Sequence, residues 1–470
     1  MNIALLHYHL RPGGVTTVIQ LQHQTLTMHG HRVLVLTGEA PTLPFNGEVT
    51  LLSAAGYGAN ASFTPDMLAR QIREACDRAF KGKCDLLLVH NPLLRKNDRL
   101  IPALKMLQTE DRTILIQVHD FAEDGRPEAL SPETYPKNCH YAVINQRDER
   151  LLSAAGLKPG GLHLLPNAVL DVQLWPIKKT QSGEKYLLYP VRAIRRKNVG
   201  EAVLLSLFLE KGTQLKISQP PQGERDEECY QDWKAFARRL NCPVQFEAGL
   251  SVPFDELYAG CRAVVTTSMN EGFGMVFLEP WIKGKRVVGR FLREVGEDFL
   301  RKGMDFTGLY EKLLIPLTWL PLEELRRKWL DTWVDRCRDF GLECDPDRLK
   351  AHFESLCSDS GFDFGWLSET EQRIVIEKVV ASPDAAQKLI RLNPCLAPGW
   401  DSTLFPELME RNRRSVAASY RPDGYAVHLE KICRTAVSEP IVQQINKQKL
   451  AEAFLAPERF TLMKWQPYVA

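Results

Sequence analysis

Short apolar runs alternate with amphipathic stretches through the first half of this chain, and near residue 186 the alternation stops and begins again. Runs of about five apolar residues separated by helix-length segments mark parallel strands buried on both faces and joined by crossover helices. The first series reads as strands at 3–7, 33–37, 86–90, 113–118 and 141–144, with helices such as 16–28 and 65–80 between them. Around Leu164-Leu-Pro-Asn-Ala-Val169 the chain leaves this unit, and a polar turn is expected at Gln181-Ser-Gly-Glu-Lys185. The second series reads as strand 187–191, helix 200–209, strand 215–218, helix 227–240, strand 244–248, short helix 254–261 and strand 263–267. From about Pro321 the periodicity is helical, at 322–339, 346–356, 369–380 and 384–392. Two doubly wound α/β units in tandem imply a cleft, with chemistry on the turns that follow the strands.

At 470 residues the chain exceeds what one hydrophobic core supports. Its 60 basic and 58 acidic residues leave a formal charge of +2, which argues against nucleic-acid binding driven by bulk charge. No apolar run reaches bilayer-spanning length, and the N-terminal Met1-Asn-Ile-Ala-Leu-Leu reads as a strand rather than a signal peptide. The eleven cysteines show no zinc spacing and read as reduced thiols of a cytoplasmic protein.

Two segments of the second series carry chemistry. Ala263-Val-Val-Thr-Thr-Ser268 is followed by Asn270-Glu-Gly-Phe-Gly-Met275 and then by Glu279, so a strand runs through a glycine turn into an expected helix. Glu279 lies eight positions after Glu271, which on a continuous helix puts it about two turns along the same face. The other segment is Arg192-Ala-Ile-Arg-Arg-Lys197, three arginines and a lysine at a strand end, with Asn198 placed to cap the next helix. Cations of both kinds opposite a glycine turn suit a diphosphate.

These residues resemble the donor site of retaining GT-B glycosyltransferases, the large family that includes sucrose-phosphate and trehalose synthases. The resemblance takes in Arg192 and Lys197, Glu271-Gly-Phe-Gly, Glu279, Gly13-Gly14, Leu165-Pro-Asn-Ala-Val169, Gln245-Phe-Glu-Ala-Gly249 and Asn412 with Tyr420. It covers roughly residues 1–290 and 405–435. It implies two Rossmann-like domains, here with a helical insertion and a helical C-terminus. The expected divisions are 1–170 (acceptor side), 171–300 (nucleotide sugar), 301–405 (insertion) and 406–470 (helices completing the fold). It also implies that Arg192 and Lys197 bind the donor diphosphate, Glu279 binds the ribose and Glu271 faces the sugar. Gly272 and the N–H groups of Phe273, Gly274 and Met275 would hold sugar or phosphate oxygens, and Gly14 would allow close approach of the first domain. His119 resembles the first-domain histidine near the transferred sugar. Gly13, Asp120, Glu123 and Arg126 are acceptor-side candidates, whereas His7, His9 and His90 read as structural. The implied reaction moves a hexose from a nucleoside-diphosphate sugar (UDP by default, GDP or ADP otherwise) to a hydroxyl of a small polar acceptor, with no metal or other cofactor.

Three departures stand out. Val191 replaces the usual glycine before the phosphate arginine, Pro280 follows Glu279, and Gly289-Arg-Phe-Leu-Arg-Glu-Val-Gly replaces a small-residue turn. Asp345, Asp347 and Asp363 read as helix N-terminal acids rather than metal ligands. A non-catalytic nucleotide-sugar-binding subunit and a nucleotide-sugar epimerase are the alternative readings. The oligomeric state and the purpose of 301–405 are not legible.

Overall fold

The computed structural model describes residues 1–58, 62–110, 112–170, 186–357, 361–400 and 406–468. The chain divides into two compact units, one of Met1–Leu170, Asp339–Leu342 and Tyr420–Leu455, the other of Asp171–Arg338, Glu343–Ser419 and Ala456–Ala470. The polar turn expected at 181–185 lies outside the described residues.

The first unit is built on seven parallel strands: β1 (Asn2–His7), β2 (Arg32–Thr37), β3 (Val49–Leu51), β4 (Leu86–His90), β5 (Ile114–Val118), β6 (His140–Val143) and β7 (Leu162–Leu164). Their order is β3-β2-β1-β4-β5-β6-β7. Alternate side chains of β1 enter two separate cores: Ala4 and Leu6 pack among Leu68, Ile72 and Leu104, while Ile3 and Leu5 pack among Ile19, Leu26 and Leu429. Burial on both faces is why these strands read as continuous apolar runs. The helix Pro65–Phe80 starts where Thr64 accepts from the Met67 N–H at 3.2 Å with proline in its first turn. The chain returns late to complete this unit. Tyr425, in the helix Pro422–Ser438, takes a 2.8 Å hydrogen bond from buried Gln22, which also donates to Gln117 at 2.6 Å.

The second unit holds five parallel strands: β8 (Tyr186–Arg192), β9 (Gln214–Gln219), β10 (Val244–Gln245), β11 (Ala263–Thr266) and β12 (Arg286–Gly289), in the order β10-β9-β8-β11-β12. The strand expected at 244–248 stops at Gln245, because Glu247 turns left-handed (φ 62°) and its carboxylate takes Lys234 at 2.8 Å and Tyr230 at 3.1 Å. β12 is not apparent as a strand in the sequence because it opens on Arg286 directly after Lys285. Lys285 is nonetheless buried, its ammonium donating to the Ala259 and Cys261 carbonyls, each at 2.7 Å.

The segment after β12 joins this unit through one buried cation. Arg290, 1% exposed, donates to both oxygens of Glu201 (2.9 and 2.7 Å), both oxygens of Asp363 (2.8 Å each) and the Glu311 carbonyl (2.8 Å). All five guanidinium N–H groups are thereby used. Asp363 ends β14 (Phe362–Asp363), which pairs antiparallel with β13 (Leu314–Ile315). It also accepts from the Gly365 N–H at 3.2 Å, capping a 3-10 turn, so it is an ion-pair partner as well as the capping acid expected. Asp345 caps the helix Pro346–Leu356 through the Arg348 N–H at 3.2 Å.

Removing one partner from a buried ion network costs about 3–5 kcal/mol, because the remaining charges stay desolvated. Arg290→Ala strands Glu201 and Asp363 together and should lower the urea midpoint of the full chain correspondingly. A midpoint equal to wild type would show that the network is not structural.

Candidate functional site

In each sheet the chain winds outward from a central strand and then crosses back, so strand order reverses between β1 and β4 and between β8 and β11. Loops at such a reversal part from each other and leave a crevice at the carboxyl edge. Both chemical segments of the second unit lie there: the basic loop follows β8 and the Glu271 turn follows β11.

The four basic residues do four different things. Arg192 closes β8 after a register shift beyond Tyr189 and is exposed. Arg195 turns inward, its guanidinium forked on Glu369 at 2.6 and 2.9 Å and on the Gln466 carbonyl at 2.6 Å, so it is a structural anchor. Arg196 donates to the Asn270 carbonyl at 3.4 Å, and Lys197 meets Glu271 at 2.5 Å. The loop cannot slide, since the Lys197 carbonyl accepts from Tyr189 at 2.6 Å and from Thr267 at 3.0 Å. Asn198 is left-handed (φ 51°), accepts from the Glu201 N–H at 3.3 Å as the expected cap, and takes Gln372 at 2.9 Å. Sequence reading did not foresee Arg196 beside Glu271; its only signal was adjacency to Lys197.

The glycine turn departs from expectation. Gly274 is left-handed (φ 88°), and a Cβ there would lie 2.9 Å from Val295 Cγ1, so no side chain fits. Phe273 is buried edge-on against Phe299 at 5.8 Å. Gly272 is half-buried beside it. A 3-10 turn covers Met275–Phe277, Leu278 leaves helical geometry (φ −120°, ψ −57°), and a separate one-turn helix begins at Glu279. The single helix carrying Glu271 and Glu279 on one face is therefore corrected. Pro280 has no N–H to give to Val276 and its ring would clash with that carbonyl, so it must sit in a first turn. Glu279 instead approaches Tyr258 and Lys283, and burial raises its carboxyl above the usual range.

Burial pulls the Lys197 ammonium below its ordinary range, against the pull of Glu271. Burial also opposes ionisation of Glu271, but Lys197 and then Arg196 outweigh it and hold that carboxyl low. The pair is charged at neutral pH, with Arg196 as a second cation near the same carboxylate.

The first unit brings histidines together. His119 follows β5, His90 ends β4 and His7 ends β1. The His90 and His119 rings stack at 5.4 Å, and His90 Nδ1 lies 3.0 Å from His119 Nε2. His7 Nδ1 lies 3.1 Å from the His90 carbonyl. Asn91 accepts from the backbone N–H groups of His119 and Asp120, each at 3.0 Å. Burial holds His119 down to about 4 and His7 down to about 3, so all three rings are neutral at pH 7. Asp120 pairs with Arg126 at 3.3 Å near the surface. Glu123 is fully buried against the Tyr135 hydroxyl at 2.8 Å, away from any acceptor in solution. Gly13 and Gly14 open the helix Gly14–Met28, and a Cβ at Gly14 would meet nothing within 4 Å, so the protein's own packing does not demand a glycine there.

Two parallel sheets, each with its crevice at a strand-order reversal, make the two Rossmann-like units of the GT-B glycosyltransferase fold. A glycosyltransferase from Rickettsia africae superimposes with a TM-score of 0.52 at 10% identity, over 93% of this chain and 98% of that one. The catalytic domain of starch synthase IV from Arabidopsis thaliana gives 0.48 at 11% identity, over 93% and 99%. In sequence, the chain is 27% identical over 375 residues to the mannosylglucosyl-3-phosphoglycerate synthase of Petrotoga mobilis, spanning 70% of this chain and 72% of the relative. No family model matches the chain. Among the described residues, no helix is long and apolar enough to cross a membrane.

The buried histidines contribute to the acid limb of stability. An unfolded chain takes up protons near pH 6.5, whereas His7 and His119 refuse them until about 3 and about 4, so stability falls as pH drops below 6.5. Each group should cost on the order of 1 kcal/mol per pH unit in that window. Urea midpoints between pH 7 and pH 5 should drop less steeply in His119→Gln than in wild type; parallel slopes would contradict the assignment.

Proposed function

We propose that the chain is a retaining, metal-independent glycosyltransferase that moves a hexose from a nucleoside diphosphate to a hydroxyl of a small polar acceptor. The observation that carries this reading is the Lys197–Glu271 pair, with Arg196 alongside, on the two loops that part at the β8/β11 reversal. Arg192 and Lys197 receive the diphosphate, and the turn Gly272-Phe273-Gly274-Met275 offers backbone N–H groups to its oxygens. Glu271 faces the sugar and Glu279 the ribose.

Cleavage of the anomeric C–O bond leaves charge on the diphosphate while the sugar becomes cation-like. Fixed cations at the phosphate stabilise that separation without reorganising. Lys197 and Arg192 supply the charge a divalent metal otherwise brings. In a retaining transfer the leaving phosphate oxygen takes the acceptor proton on the same face. By the family resemblance His119 is the first-unit histidine assigned to the sugar, and its ring is neutral at pH 7. The name of the Petrotoga relative, a mannosylglucosyl-3-phosphoglycerate synthase, supports a small polar acceptor. The donor base is UDP by default, with GDP or ADP as the other cases. Eleven free cysteines suit a cytoplasmic setting.

Thermal shifts with UDP, GDP, ADP and their sugars, with and without EDTA, test the donor site. Ligand at a hundred times its dissociation constant adds about 2.7 kcal/mol of stability. One nucleotide should stabilise wild type regardless of EDTA, and Arg192→Ala should abolish the shift. Lys197→Ala should cut turnover by about a hundredfold or more, and Glu279→Ala should mainly weaken nucleotide binding. Stabilisation by no nucleotide would overturn the transferase reading.

A further inference from the structure

The first sheet reverses its strand order between β1 and β4, and loops from four strands deliver a polar cluster to that edge. His9 and Arg11 follow β1, Tyr57 follows β3, Lys96 follows β4, and Asp120 and Arg126 follow β5. Tyr57 is 38% exposed, an aromatic ring left open to solvent at a sheet edge where ligands sit. His9 meets its ring edge-on at 4.8 Å, Tyr8 tilts against it at 5.2 Å, and Lys96 Nζ lies 5.7 Å over it. Arg11, Glu39, Asp120 and Arg126 all act electrostatically on its hydroxyl.

The charges around this ring are three cations and two carboxylates. Glu39 holds Arg11 at 2.7 Å and Asp120 holds Arg126 at 3.3 Å, whereas Lys96 is exposed and has no carboxylate partner among the described residues. His9 is kept neutral by burial. One uncompensated ammonium therefore stands over a partly exposed aromatic ring, with two paired guanidinium groups acting on the same ring's hydroxyl. A sugar ring presents a C–H face that packs on an aromatic ring, and a phosphate or carboxylate on that sugar then falls among the cations.

We propose that Tyr57, Lys96, Arg11 and Arg126 form an acceptor subsite for a hydroxylated ring bearing a phosphate or carboxylate. The ring stacks on Tyr57 and the anion sits on Lys96 and the arginines. This rests on the transferase reading, because it names the class of that reaction's acceptor. Tyr57, Lys96, Arg11 and Arg126 belong to the first unit, whereas Arg192, Lys197, Glu271 and Glu279 belong to the second, so the two are separable by experiment.

Calorimetric titration of the full chain with glucose 6-phosphate, glucuronate and glucose tests the subsite, with UDP, GDP and ADP titrated in parallel. Wild type should bind at least one of the two anionic sugars about tenfold more tightly than glucose, and less tightly as salt rises. Lys96→Ala and Tyr57→Ala, both at exposed positions, should each lose about tenfold for that sugar while nucleotide affinity holds. Whichever anionic sugar binds more tightly identifies the anion as phosphate or carboxylate. Glucose binding as well as both anions, variants matching wild type, or no sugar binding where a nucleotide does bind would each overturn the subsite. A wild type that binds no nucleotide sinks the transferase reading instead, and the sugar titrations still decide the cluster.

Discussion

The second unit depends on a buried positive charge that only its own tertiary structure can neutralise. Arg290 follows β12 and is buried, and its five donors are satisfied only when Glu201, Asp363 and the Glu311 carbonyl are all in place. Glu201 sits in the first turn of the helix Val199–Ser206, directly after the basic loop, while Asp363 belongs to the ribbon β13–β14. The Tyr310 hydroxyl adds a 2.8 Å bond to Glu201. The network carries two carboxylates for one guanidinium, so each hydrogen bond matters more than in a balanced pair. One desolvated cation thus fixes the start of the helix that follows Lys197.

A second tie reinforces the same loop. Glu369 and Gln372 both lie on the helix Glu369–Ala381, one gripping Arg195 and the other Asn198, on either side of Arg196 and Lys197. A loop pinned at both ends by buried partners holds its central cations in one geometry. That is the condition for electrostatic work without reorganisation at the moment of reaction. Within 301–405, whose purpose was not legible in the sequence, Glu369 and Gln372 brace the basic loop.

What could be read from the sequence follows from the range of the forces involved. Central strands such as β1, β4 and β11 are buried on both faces, and continuous apolar runs betray them. The edge strands β3 and β7 are three residues each, too short to show a period, and β12 is disguised by Lys285 and Arg286. The Arg195–Glu369 and Arg290–Asp363 pairs join residues 174 and 73 positions apart, and no local pattern announces such a partner. The basic loop and the glycine turn were visible because their chemistry is concentrated in a few neighbouring positions. The break at Leu278 was foreshadowed by Pro280, but its consequence, the separation of Glu279 from the Glu271 turn, needed three dimensions.

The two sheet edges solve opposite electrostatic problems with the same topology. At the β8/β11 edge, desolvated charges are kept ionised by pairing: Lys197 with Glu271, and Arg196 beside them. At the β1/β4 edge desolvation wins: His7 and His90 stand among other histidines, and the pull of Asp120 on His119 does not offset its burial. Burial is common to both; the strength of the counter-charge set against it decides the outcome. On the proposed reading the fixed charge of the second unit suits the place where the leaving phosphate forms. Each edge, taken by itself, shows the same rule: a buried group keeps its charge only where a counter-charge is built beside it.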